Sequence, residues 1–174
     1  MKSVIWAIFT VSLALNACAR MPAARPDDFS LTLDWGTGAL PPPFHYSYTI
    51  AIGPNLVGKF TYQPGYGPED SVEIWKTDFN LESNDLDALY STLAEKGMLC
   101  SSWSTGQPLL GGKSTSLIIT ASGKDYHVPS VSELTQSERD KVEAIIDTIR
   151  GYVPQAIWDE MNECQAEFEE GFEN

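Results

Sequence analysis

The chain has 174 residues, 43% of them hydrophobic, 11% aromatic and 20% charged, which excludes both a composition-driven disordered chain and a polytopic membrane protein. Its 24 acidic side chains against 11 Lys and Arg leave a formal charge of −13, so no nucleic acid is expected as a partner. The length suits a single domain.

Lys2 supplies one positive charge, and Val4 to Leu15 follows as an apolar run of 12 residues, with no further charge before Arg20. That is the pattern of a secretory signal, and it falls short of the roughly 20 apolar residues that a transmembrane helix needs. The run ends in Leu15-Asn16-Ala17-Cys18, which resembles the lipobox of bacterial lipoproteins. The resemblance implies a signal peptide over 1–17, an acylated Cys18 and a lasting hold on membrane lipid, because each buried methylene contributes about 0.8 kcal/mol. The alternatives are ordinary cleavage after Ala17 or Ala19 and an uncleaved anchor. An exported, lipid-anchored envelope protein is the expectation. The outer membrane is favoured if the source is Gram-negative, since Ala19 stands where inner-membrane retention signals carry aspartate. Residues 18–28 then read as the lipidated cysteine and a tether, and 29–174 as one domain with an acidic C-terminal helix.

Phe29, Leu31, Leu33 and Trp35 alternate with Ser30, Thr32 and Asp34, the period of a half-buried strand. Phe44, Tyr46, Tyr48, Ile50 and Ile52 alternate likewise, which makes these aromatics core residues first. The stiff Pro41-Pro42-Pro43 before them, with His45 alongside, is a candidate recognition edge. Gly53-Pro54-Asn55 turns the chain into a third strand from Leu56 to Tyr62, and Val72 to Phe79 reads as a weaker fourth. Ser83 starts a helix whose Leu86, Leu89, Tyr90 and Leu93 share one face up to Gly97. Lys113 to Ala121 and Asp125 to Val128 flank Ser122-Gly123-Lys124 as a second hairpin. Thr135 and Glu138 spell a capping box ahead of Val142, Ile145, Ile146 and Ile149, and Pro154 opens a last helix carrying Ile157, Met161, Cys164 and Phe168. This order predicts an α+β fold, an antiparallel sheet of about five to six strands with three helices.

With Cys18 acylated, Cys100 and Cys164 remain, and an oxidising compartment permits a disulfide between them. It would close a loop of about 65 residues and contribute about 4 kcal/mol in the chain-entropy picture. Gly106 to Thr115 superficially resembles a Walker A loop, but Gln107 stands where the first glycine belongs and Ser116 to Thr120 reads as a strand, so no nucleotide is expected. His45 and His127 are isolated on predicted strands, where they read as surface histidines, and neither a metal nor a cofactor is expected. No G-x-S-x-G or S-x-x-K occurs, and no residue stands out as catalytic. Asn84-Asp85-Leu86-Asp87 offers oxygens to a cation, yet acids also suit the first turn of a helix. Residues 133–174 hold 12 acids and 3 bases. Seven of these acids, Asp159, Glu160, Glu163, Glu167, Glu169, Glu170 and Glu173, follow Pro154 with no Lys or Arg among them. They form a solvated face or a docking surface for a cationic envelope protein, and their repulsion predicts fraying beyond Phe168.

Pro41 to Tyr48, Gly111 to Ser114 and Val153 to Trp158 read P-P-P-x-H-Y-x-Y, G-G-x-S and V-P-x-x-I-W, and together they resemble uncharacterised bacterial lipoproteins over most of the chain after Cys18. That resemblance implies no activity. The expectation is therefore a lipid-anchored, non-enzymatic binding or structural module of the cell envelope. An alternative is an inhibitor of an exported cationic hydrolase, since small acidic disulfide-containing lipoproteins resemble bacterial lysozyme inhibitors. An envelope hydrolase comes third.

Overall fold

Six strands with alternating side chains build one antiparallel sheet in the computed structural model, which describes residues 24–66, 72–99, 102–108 and 110–173. They are β1 (Ser30–Gly36), β2 (Tyr46–Ile52), β3 (Val57–Pro64), β4 (Trp75–Asn80), β5 (Ser114–Ala121) and β6 (Lys124–Val128), in the order β4-β3-β2-β1-β5-β6. Directly opposed residues share a face, so the register Phe60, Ile50, Leu33, Leu117, Val128 lays one apolar row across β3, β2, β1, β5 and β6. All five are buried under three helices, α1 (Ser83–Glu95), α2 (Gln136–Gly151) and α3 (Gln155–Glu173). The opposite face carries Thr32, Asp34, Thr49, Thr61, Asp125 and His127, none of them buried. The fold is α+β, with the six strands and three helices that the sequence predicts.

Several local expectations change. Pro42–Phe44 forms one 3-10 turn, and prolines cannot donate to a sheet ladder, so β2 starts at Tyr46 and Phe44 stands 55% exposed rather than in the core. Ser83 does not cap α1. Glu82 occupies that position, and the Asp85 carboxylate accepts its N–H at 3.3 Å. Asp87 pairs with Arg25 at 2.6 Å, so both acids of the supposed cation ligand set close a helix start. The Thr135–Glu138 capping box is not formed, because Glu138 is bound by Lys141 one turn on, while the Thr135 N–H donates to Ser104 O at 3.0 Å. Helix α3 runs past Phe168 to Glu173, with Phe172 edge-on against Phe168 at 5.1 Å.

The expected disulfide is corrected as well. Cys164 is a free thiol, half-buried on α3 at a seam with Tyr62, Pro64, Trp75 and Phe168, and its partner candidate Cys100 lies outside the described residues, as does Cys18. Burial, with Glu160 and Glu167 adding to it, pushes the Cys164 thiol above its ordinary pKa.

Strand direction gives the molecule two poles. At one, the chain enters β1: Arg25 binds Asp87, and the Asp28 carboxylate accepts the N–H groups of Ser122 and Gly123 at 2.8 and 2.5 Å in the β5–β6 turn. At the other lie the β1–β2 loop, the residues after β3 and those before β5. Seven residues of β1 separate these poles by roughly 20 Å.

Candidate functional site

The far pole, termed here the loop pole, gathers exposed apolar side chains. All five large ones found exposed among the described residues belong to it: Leu40, Phe44, Tyr66, Leu110 and Phe172, with Leu110 98% exposed. The loops are pinned to each other. Gly38 adopts a left-handed φ of 84°, and a Cβ there would stand 2.3 Å from Gly112 O, so only glycine lets these two loops touch. The His45 ring stacks on Tyr66 with centroids 3.8 Å apart and places Nδ1 2.8 Å from Gly38 O. Tyr66 donates to Leu40 O at 2.7 Å, and Gln165 Nε2 donates to Pro43 O at 2.7 Å, tying α3 to the proline turn. Phe168 fills the space over Gly65, which brings Phe172 to the same end.

Beneath this tip, the covered face of the sheet ends in large rings. Trp35 and Tyr48 face each other across β1 and β2 and stack at 5.0 Å, and Tyr48 stacks in turn on Phe60 of β3 at 5.6 Å. Trp158 of α3 presses edge-on against Tyr48 at 5.2 Å and Phe60 at 5.1 Å. The Arg150 guanidinium, at the end of α2, lies over the Trp158 ring at 5.0 Å and 5.9 Å from the Tyr48 centroid. Its Nη1 is 3.9 Å from Asp147 Oδ1, too far for a hydrogen bond, and no described residue accepts one from the guanidinium. The side chain is 40% exposed.

A groove of about 410 Å³ opens here, lined by Tyr46, Asp147, Arg150, Gln155, Trp158 and Asn162, within the size range of small-molecule sites. On the other side of Arg150 and Asp147 a smaller recess of about 100 Å³ continues to Trp35, Lys113 and Glu143. The Tyr48 hydroxyl is buried without a hydrogen-bond partner among the described residues. Burial raises its pKa far above the ordinary tyrosine value, Asp147 adds to the rise and the Arg150 charge opposes it, so the group remains an O–H donor.

The three sequence segments singled out above converge on this groove and its adjoining recess: Tyr46 comes from the first, Lys113 from the second, and Gln155 and Trp158 from the third. Lys113 leads into strand β5, not into a helix. His45 and His127 do not meet. Three strand spacings, about 14 Å, separate β2 from β6, so the two histidines belong to different parts of the surface. Among the described residues no group of three or more His, Cys, Asp or Glu is placed to hold a metal ion. Sequence reasoning did not single out Arg150, Asp147 or Asn162 and read Trp35 as core. The signal available was that Arg150 is the last base in the chain and stands just before Val153 to Trp158. Compared with known proteins, the chain matches no family model and no curated sequence, so no relative lends it a function.

Proposed function

We propose that the protein is a lipid-anchored, non-enzymatic binding module of the bacterial cell envelope, tethered through Cys18 and meeting its ligand at the loop pole. The observation that carries this reading is the opposition of the poles. The chain enters the fold at the end defined by Arg25, Asp28 and the β5–β6 turn, while the exposed apolar tips and the Arg150 groove lie at the other. A tether at the first pole turns the second away from its own lipid surface. Exposed aromatic and apolar tips over a rigid sheet suit holding a partner.

Two measurements test the reading. Mass spectrometry of the mature N-terminus should find an acylated Cys18, and Cys18→Ser should leave the precursor unprocessed or release the domain; an intact Met1 or a free Ala19 or Arg20 terminus ends the anchoring. A photo-reactive residue introduced in cells at Phe44 or Leu110 should crosslink strongly, and one at Asp125 on the open sheet face should not. Crosslinks from Asp125 alone would refute the loop pole as the binding end.

The second reading, inhibition of an exported cationic hydrolase, is supported by the exposed row Asp159, Glu160, Glu163 and Glu167 along α3. It requires a complex with a basic hydrolase that forms in dilute salt and weakens steeply as salt rises.

A further inference from the structure

We propose that the groove around Arg150 is a carbohydrate site that takes a neutral saccharide unit; the assignment rests on the binding-module reading above and names its ligand class. The charges of the groove and its adjoining recess decide the class. Arg150 and Lys113 are matched by Asp147 and Glu143. An anion drawn to Arg150 meets the Asp147 carboxylate, whose Oδ1 is 3.9 Å from Nη1, and a cation drawn to Asp147 meets the guanidinium. A hydroxyl escapes both penalties because it donates and accepts. A polyol satisfies the unused donors of Arg150 and the acceptors of Asp147 together.

The remaining walls fit the same ligand. Tyr46 and Trp158 add a small apolar surface to a lining that is otherwise polar, as the mixed surface of a saccharide requires. Asn162, an exposed planar amide, offers a donor and an acceptor side by side, and Gln155 keeps its carbonyl available while its amide donates to Asp159 at 2.9 Å. A purely apolar ligand would strip water from Arg150 without replacing its hydrogen bonds.

The test uses the mature lipid-anchored protein in detergent, with neutral oligosaccharides as probes: N-acetylglucosamine tetramers and glucose and mannose oligomers, beside an acidic polygalacturonate. Saturation-transfer NMR should report binding of at least one neutral oligomer in preference to the acidic one. Arg150→Met should weaken it about tenfold or more, Asn162→Ala less, and Asp125→Asn not at all, with unchanged circular dichroism marking the variants as folded. Absence of transfer from every neutral oligomer, preference for polygalacturonate, or full affinity in Arg150→Met would overturn the assignment. Failure of the saccharides alongside strong crosslinks from Phe44 or Leu110 would remove only the ligand class, whereas failure of both would remove the binding-module reading as well.

Discussion

Replacing Tyr48 by Phe should stabilise the protein, an unusual expectation for a change in the middle of a core. The ring is 3% exposed and its hydroxyl has no hydrogen-bond partner among the described residues. Burying such a group unpaired costs about 1–3 kcal/mol, and Phe removes it while keeping the stacks on Trp35 at 5.0 Å and Phe60 at 5.6 Å and the edge contact with Trp158 at 5.2 Å. A gain of about 1 kcal/mol corresponds to a melting temperature about 2–4 °C higher in a domain of this size. Tyr62 is the matched control. Its hydroxyl donates to Gln165 Oε1 at 2.5 Å, and Gln165 is only 9% exposed, so Tyr62→Phe strands a buried carbonyl and should destabilise by about 1–3 kcal/mol. Thermal and urea unfolding of both variants, followed by circular dichroism at constant m-value, gives the comparison. A loss of stability in Tyr48→Phe equal to that in Tyr62→Phe would refute the reasoning, since it would mean that the Tyr48 hydroxyl is satisfied.

Gly58→Ala should cost about 1–3 kcal/mol in unfolding experiments, because its Cβ would stand 2.2 Å from the Phe79 ring that covers the glycine across β3 and β4. Two backbone N–H groups hold the Asp28 carboxylate below its ordinary pKa of 3.8. Its contribution is thus present above the unfolded-state value and disappears as pH falls through the folded one. Asp28→Asn should therefore lower the unfolding midpoint at neutral pH and match the parent protein in acid; an equal gap at both pH values would contradict this. Since Cys164 is a free thiol with a raised pKa, dithiothreitol should leave the melting temperature unchanged and iodoacetamide should label Cys164 slowly near neutral pH, both readable by calorimetry and mass spectrometry.

The sheet was legible because its signal is local. Leu31 and Leu33 alternate with polar residues just as Ile50 and Ile52 do, and a period of two admits no other burial once one face is covered. Errors arose where a neighbour outbid the local pattern. Phe44 continues the alternation on paper, yet three prolines deny the ladder its donors and leave the ring exposed. Thr135 and Glu138 have capping-box spacing, but Lys141 lies one turn on and takes the carboxylate. The groove was illegible for a different reason: Trp35, Tyr46, Arg150 and Trp158 meet only through sheet register and the α2–α3 turn, and nothing in a linear reading joins positions so far apart. Only its sequence segments stood out, without a sign that they converge.

The two outer strands have a bearing on crowding. If the proposed tether holds one pole at a lipid surface, β4 and β6 face sideways, toward neighbouring copies confined to the same plane, and an unpaired strand edge is a template for lateral growth. Both edges are short and carry exposed charges of both signs, Lys76 and Asp78 on one and Lys124 and Asp125 on the other. Two such edges brought together must desolvate these charges before any ladder can form, so copies crowded by the proposed tether would meet a barrier to strand pairing and keep their tips free.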